Sequence, residues 1–156
     1  MKRKKSGGLL QALGSGLAGA LVLTAIHETA RRISPDAPRM DVLGMRGLRK
    51  LLGKARAPQP DPATLFNLTM AGDILSNGLY YSLVGRGKKA WARGSILGLA
   101  AGAGGVLLPG PMGLGEAPSN RTRQTQVMTV AWYLLGGLAA AGTSRLWSRV
   151  RKQAKP

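Results

Sequence analysis

The chain has 156 residues, with 23 Lys and Arg against 6 Asp and Glu, and its formal net charge is +17. It contains no Cys and a single His, which excludes disulfides, thiolate metal sites, a cysteine nucleophile and any site that needs two imidazoles. We therefore expect one domain that holds no metal and no cofactor.

Four long stretches carry no charge, apart from Asp73 in the second. A helix of about 20 apolar residues crosses the ~30 Å hydrocarbon layer of a bilayer. A soluble bundle is the alternative, but its helices would carry charges every few residues on the wet face, and three of the stretches have no such face. We predict an all-α, polytopic helical membrane protein, one membrane domain over residues 1–156. Its spans are expected at about residues 7–26, 62–85, 94–114 and 125–144.

The first span follows the basic residues Lys2, Arg3, Lys4 and Lys5, as in a secretory signal peptide. Ala18-Gly19-Ala20 is the nearest small-residue cleavage pattern, but the apolar run continues past it through Leu21, Val22 and Leu23. The pattern favours an uncleaved signal anchor.

Small residues recur every four positions along this span. On a helix they form one smooth stripe, and such stripes let two helix backbones approach closely in lipid. General richness in Gly and Ala is the alternative explanation. The predicted helix-packing residues are Gly8, Ala12, Gly16 and Ala20.

A basic amphipathic helix is predicted over residues 41–56, with Asp41 as its N-cap. Its apolar positions are Met45, Leu48, Leu51, Leu52 and Ala55. Such helices lie in the headgroup plane, and anionic lipids attract their cations, although the same apolar face could instead pack on the protein's own helices. The expected headgroup contacts are Arg46, Arg49, Lys50 and Lys54.

Asp61-Pro62 marks the start of the second span, with Asp at the N-cap and Pro at the first helical position. Its polar residues, among them Ser76, fall on one side of the helix. One of them, Asp73, is ionisable, and an ionisable residue inside a span indicates a functional site. A structural stripe that bonds to neighbouring helices is the alternative. The transport or proton-site candidates are Asp73, Thr69, Asn77 and Tyr80.

The third span carries a second small-residue pair, Gly98 and Gly102. Pro109 and Pro111 stop a regular helix near Leu108, which leaves a short apolar segment and a turn-rich loop up to Asn120. Ser119 or Asn120 is expected to cap the fourth helix, which is predicted to end at Arg145. Trp91 and Trp147 suit the membrane interface.

Charge counting leaves the orientation open. With four crossings, the termini and residues 86–93 share a side that holds 13 Lys and Arg against 10, which weakly favours cytoplasmic ends. With three crossings the counts become 17 and 6, and the N-terminus lies outside. We expect four crossings, because the length of the second segment and its Asp-Pro start favour a span.

Other motifs do not carry a function. His27-Glu28 lacks the second His of a metalloprotease, since the fifth position is Arg31. A His27/Glu28 acid–base pair acting on a lipid headgroup is conceivable, against a simple interfacial salt bridge. The net charge invites a nucleic-acid reading, but Phe66 is the only Phe, stacking platforms are missing, and the charge flanks apolar spans. We expect no nucleic acid partner.

The sequence therefore predicts a small multi-pass protein of the cell membrane, in bacteria the inner membrane. The first function we expect is a helix-packing scaffold or accessory subunit without chemistry of its own, hence no enzyme. The alternative is a small transporter or proton-coupled channel using Asp73, and a lipid-interface enzyme is third. Expected partners are anionic membrane lipids and other membrane subunits or a second copy of the chain.

Overall fold

The structure, a computed structural model, describes residues 3–153, and of Arg3–Ser6 it describes the backbone alone. This part of the chain is helical and holds no strand, which confirms the all-α prediction. The basic start at Lys2–Lys5 therefore lies outside the described side chains. The helices are α1 (Arg3–Ala30), α2 (Met40–Lys54), α3 (Pro62–Ser82), α4 (Ala90–Leu107), α5 (Ala117–Asn120) and α6 (Arg123–Gln153).

Two helix boundaries follow from local chemistry that the sequence displays. The Asp61 side chain accepts hydrogen bonds from the backbone N–H groups of Ala63 and Thr64, at 3.0 and 3.1 Å, so the predicted N-cap of α3 is confirmed. Helix α4 ends at Leu107, just before Pro109, as predicted. Helix α3 ends three residues before Gly85, which adopts a left-handed backbone (φ +61°) that glycine tolerates.

Other boundaries differ from the prediction. Helix α6 continues to Gln153, because no Gly or Pro interrupts the chain after Arg145. Its first turn is capped by Thr122, whose Oγ1 accepts from the Thr125 N–H at 3.0 Å, and not by Ser119 or Asn120. Asp41 lies in the first turn of α2, and Arg39 occupies the N-cap position. The predicted loop up to Asn120 contains the short helix α5.

Four long helices form an antiparallel bundle in which both α1 and α4 pack against α6, and α1 also packs against α3. Gly16 of α1 lies beside Gly78 and Ser82, and Arg31 lies over the ring of Phe66, so α1 and α3 run in opposite directions. Helices α4 and α6 also run in opposite directions, since Gly94 contacts Gly137 and Gly102 contacts Val130. One end of the bundle therefore holds the start of α1, residues 83–93 and the end of α6, and the other holds α2 and α5.

Small residues set the spacing between these helices. A Cβ added at Gly98 would lie 2.6 Å from Leu134 Cα, and one added at Gly102 would lie 2.6 Å from Val130 Cα. A Cβ at Gly16 would collide with the backbone of Gly78 and Ser82. The predicted packing residues Gly16, Gly98 and Gly102 thus lie at helix contacts within the chain. Ala20 is buried, Ala12 is partly buried, and Gly8 lies under the Arg86 guanidinium.

Large apolar side chains lie mainly on the outside of the bundle, and small or polar ones lie inside. Leu75 and Leu79 of α3 are 65% and 61% exposed, while Gln11, Ser15, Thr129 and Ser144 are buried. Exposed large apolar residues occur on every long helix, including Leu9, Leu10, Leu17 and Leu21 on α1, Ile96, Leu99 and Leu107 on α4, and Val127, Leu135 and Leu146 on α6. The interior does hold an apolar cluster that includes Leu23, Tyr81 and Val84, but the number of large apolar side chains facing outward is higher than a water-soluble surface usually carries.

Two helices are long and apolar enough to cross a membrane, Gly7–Ala30 and Arg123–Gln153. Core helices of soluble proteins and signal sequences can share those properties, so length and composition support the membrane prediction only at this coarse level. Helix α3 is interrupted by polar residues, and α4 contains Arg93 among 18 residues. Neither α3 nor α4 is therefore among the helices that meet both requirements.

Candidate functional site

An open cleft of about 620 Å³ lies between α2, α3 and α4, with Tyr133 of α6 at its floor. One wall carries polar side chains of α3, and the facing wall carries small residues of α4. The polar wall consists of Asp73, Ser76, Asn77 and Tyr80, and the small wall of Ala100, Ala101, Gly104 and Gly105. The cleft therefore combines one carboxyl group with an otherwise largely apolar surface, as small-molecule sites do.

Asp73 lies near the middle of α3, and helical spacing places its polar neighbours on the same face. Asn77 Nδ2 donates a hydrogen bond to Asp73 Oδ1 at 2.9 Å. Tyr80 Oη donates to the Leu97 carbonyl of α4 at 2.9 Å, which ties the two walls together. Three of the four predicted site residues, Asp73, Asn77 and Tyr80, thus line one cleft.

Thr69, the fourth predicted residue, does not line the cleft. Its side chain is buried against α2, where a Cβ added to Gly44 would lie 2.5 Å from Thr69 Cγ2. Thr69 lies four residues before Asp73, but it packs on Gly44 and is not among the residues that line the cleft. Its Oγ1 is a buried atom without a hydrogen-bond partner among residues 3–153.

A second, enclosed cavity of about 10 Å³ adjoins Asp73 on the side of α1, about the smallest volume that accommodates one water molecule. Thr24, His27 and Tyr133 line it together with Asp73. The sequence placed His27 at the membrane surface, but the structure buries it between the rings of Trp132 and Tyr133, with centroids at 5.1 and 5.7 Å.

The hydrogen bond of His27 determines which ring nitrogen can accept a proton. His27 Nδ1 lies 3.1 Å from the Leu23 carbonyl oxygen, which can only accept, so Nδ1 carries the hydrogen. Nε2 is then a lone-pair acceptor, and in the described part of the chain this buried atom has no partner. His27 and Asp73 thus present two proton-binding groups to one small cavity.

A network of ion pairs closes the cavity towards the end of the bundle. Arg31 donates to both Glu28 oxygens, at 2.8 and 2.5 Å, and lies 3.7 Å from Asp41. Arg39 donates to both Asp41 oxygens, at 2.9 and 2.7 Å. Glu28, Arg31 and Asp41 also line the cavity, so it lies between the Asp73 carboxyl and a charged surface.

The pKa of Asp41 reflects two opposed effects. Burial of the carboxyl raises it, but the hydrogen bond and the positive charge of Arg39, with a smaller contribution from Arg31, outweigh burial and hold the pKa below its ordinary value of 3.8. The same pairs raise the pKa values of Arg31 and Arg39, through hydrogen bonds to Glu28 and to Asp41.

Sequence reasoning did not connect several members of this site with Asp73. It considered His27 and Glu28 only as an acid–base pair or salt bridge at the membrane surface. Thr24, His27, Glu28 and Arg31 recur at three- and four-residue spacing and so share one face of α1, a signal that was available. Arg39 and Tyr133 join through contacts between distant elements, which no local pattern displays. Among the described residues, no group of three His, Asp or Glu side chains converges in a way that could hold a metal ion.

The four cations of α2 divide into two pairs. Arg46 donates to the Leu114 carbonyl at 2.8 Å and Lys50 to the Met112 carbonyl, so both fasten the loop after α4 over the cleft. Arg49 and Lys54 are exposed and are the pair whose side chains remain available to lipid headgroups. Of the predicted apolar positions, Met45, Leu48 and Leu52 are half-buried, and Leu51 and Ala55 stay exposed.

The comparisons with known proteins do not add a relative to this description. No protein-family model, no curated protein and no solved structure matches the chain.

Proposed function

We propose that the chain is a four-span integral membrane protein, placed in the cell membrane, and in a bacterium in the inner membrane. The observation that supports this is the outward distribution of Leu, Ile and Val around all four long helices, with Gln, Ser, Thr and Gly inside. In water such a surface would drive aggregation, whereas hydrocarbon solvates it. At 1.5 Å per residue, the 21 residues of α3 span ~31 Å and the 18 residues of α4 span ~27 Å, close to the hydrocarbon thickness.

Within that bundle we propose that Asp73 binds a proton or a small cationic solute, as in a small transporter or proton-coupled channel. One observation carries this proposal: Asp73 lines both the open cleft and the small cavity beside His27. A solute in the cleft would meet the Asp73 carboxyl directly. A proton released from Asp73 would have His27 Nε2 and one water-sized space on its way to Glu28 and Asp41. Intramembrane carboxyls of this kind mark ion and proton pathways.

The test is proton flux into liposomes that contain the purified protein and an entrapped pH dye, driven by a potassium diffusion potential. The Asp73→Asn variant keeps the size of the side chain and a hydrogen-bonding group but cannot ionise, so we expect its initial flux to fall by about tenfold or more.

Asp61→Asn is the matched control. It also removes one carboxylate from α3, but at the exposed end, and Asn remains a good N-cap. Its flux should equal that of the unmodified protein. Full proton flux in a folded Asp73→Asn protein would contradict the transport proposal. So would a proton flux of the unmodified protein that does not exceed that of empty liposomes.

The accessory-subunit proposal is second, because the small-residue faces of α1 and α4 are already used within the chain. One observation still favours it: Ala100 and Gly104 line the open cleft, and small residues are typical of contacts between helices in lipid. Stoichiometric co-purification of a larger membrane protein in mild detergent, lost on Gly104→Leu, would support this function. Neither proposal assigns enzymatic chemistry to the chain.

A further inference from the structure

A second site lies at the opposite end of the bundle, away from Asp73. A crevice of about 550 Å³ opens between the start of α1, the turn after α3 and the end of α6. Its wall residues are mostly cationic and come from two separate segments. They are Arg86 and Lys88 in the turn and Arg145, Arg149, Arg151 and Lys152 on α6.

Hydrogen bonds fix the floor of the crevice. Gln11 Nε2 donates to the Ser144 carbonyl and to Ser148 Oγ, both at 2.7 Å, which holds α1 against α6. Arg151 donates to the Gly7 carbonyl at 2.9 Å, and the Arg86 guanidinium lies over Gly8. Because Gly7 and Gly8 lack side chains, both guanidinium groups can lie directly on the start of α1.

The charge at this end is of one sign. All six acidic residues of the chain lie elsewhere: Asp73 within the bundle, and Glu28, Asp36, Asp41, Asp61 and Glu116 towards the other end. Arg and Lys side chains held this close together repel one another unless an anion lies between them. The crevice therefore has the charge of an anion site, and no acidic side chain among residues 3–153 lines it.

We propose that this crevice binds the headgroup of an anionic phospholipid, and that a headgroup with two phosphates fits it best. Six cations around one opening exceed what a single phosphate can contact, and basic pockets between membrane helices bind such headgroups. The site is separate from the Asp73 cleft, so it rests on the proposed membrane placement of the bundle and not on the transport proposal.

Apolar neighbours favour a lipid over a nucleic acid. Leu9, Leu10 and Leu146 are exposed beside the crevice, where acyl chains of a bound lipid would lie. Trp91 and Trp147 lie on the same end of α4 and α6, at the level where Trp marks the membrane interface. The crevice itself is lined by no aromatic side chain, whereas nucleic-acid sites stack bases on such groups.

The experiment measures the thermal unfolding temperature of the full chain in uncharged detergent while cardiolipin or phosphatidylcholine is added. Cardiolipin should raise the unfolding temperature in a saturable way and phosphatidylcholine should not, because binding to the folded state stabilises it. For the double variant Arg145→Gln/Arg149→Gln, the cardiolipin concentration that gives half of the rise in unfolding temperature should be at least about tenfold higher. Each cation near the headgroup contributes to binding.

Arg56→Gln/Arg123→Gln is the matched control. It removes the same charge from two exposed positions at the other end, just after α2 and at the start of α6, and its response to cardiolipin should match that of the unmodified chain. An equal loss in both double variants would overturn the proposal in favour of general electrostatic attraction. Saturation by inorganic phosphate, or by a single-stranded oligonucleotide at the same salt, would overturn the choice of lipid.

Discussion

Glycine determines how closely α4 and α6 approach. Glycines that recur every four residues on α4 face α6, and each lies against backbone atoms of that helix. They are Gly94, Gly98 and Gly102. Since the neighbours are backbone and not flexible side-chain ends, they cannot move aside for a methyl group. Dispersion contacts of this kind are a main source of helix association in lipid, where the hydrophobic effect between helices is lost.

Gly98→Ala should therefore destabilise the folded bundle by about 1–3 kcal/mol, because its Cβ would lie 2.6 Å from Leu134 Cα. Gly72→Ala is the control. It changes the same residue type in the middle of α3, where a Cβ meets nothing within 4 Å, and should be neutral or stabilising by about 0.5–1 kcal/mol. Unfolding in detergent measures both, and equal effects would show that the close contact is not rigid.

The position of α2 depends on a few polar contacts. Arg39 and Arg31 hold Asp41 at its first turn, Thr69 packs on Gly44, and Arg46 and Lys50 bind the loop after α4. Helix α2 thereby covers the end of the Asp73 cleft. Displacing it would open both the cleft and the small cavity towards solvent.

Asp41→Asn should lower the unfolding temperature at pH 7, since it removes the carboxylate that pairs with Arg39 and lies 3.7 Å from Arg31. The folded-state pKa of Asp41 is lowered, so the stability that its charge contributes is fully present above the ordinary value of 3.8. That stability is lost as the pH falls through the lower folded-state pKa. The difference between the two proteins should therefore shrink as the pH falls below 3.8.

Thermal unfolding of both proteins across this pH range measures the effect. Asp36→Asn, which breaks the exposed pair with Arg121 at 3.6 Å, is the control and should change little at pH 7. A difference between the unmodified chain and Asp41→Asn that stays constant with pH would contradict the role given to the Asp41 charge.

The elements show where sequence reasoning succeeds and where it stops. The start of α3 at Asp61-Pro62 and the stop of α4 before Pro109 follow from chemistry within a few residues, and both were predicted. Asp41 was predicted to be the N-cap of α2, but its carboxylate accepts hydrogen bonds from the Arg39 side chain instead. The local sequence does not indicate which of these two bonds forms. Thr69 does not line the cleft, because its side chain packs on Gly44 of α2, 25 positions earlier in the chain. The periodicity of a sequence does not predict such contacts between distant segments.

The whole molecule has two unlike ends, separated by a belt of exposed apolar side chains. One end carries basic residues alone, and the other mixes cations with acids. With α1, α3, α4 and α6 all antiparallel to their neighbours, the four-span proposal places residues 31–61 and 108–122 on one side of the membrane. Residues 83–89 and 145–153 then lie on the other side.

Single introduced cysteines test this arrangement without background, because the chain contains no Cys. We expect Gln59→Cys and Ala117→Cys to react with an impermeant maleimide from one side of the membrane. Lys88→Cys and Gln153→Cys should react from the opposite side. Labelling of residues 59 and 88 from the same side would mean that α3 does not cross, which is the three-crossing alternative.

The connection between α3 and α4 has a consequence for biogenesis. Only seven residues, Leu83–Lys89, separate two antiparallel helices, neither of which is apolar enough to pass as a span by itself. In the four-span proposal, a linker this short would deliver both to the insertion machinery as one hairpin, so that the Asp73 carboxyl does not partition into the bilayer on a solitary helix. In a nascent chain truncated after residue 89, α3 should consequently stay outside the lipid even when α1 has inserted. A chain that continues past residue 107 should insert α3 and α4 together.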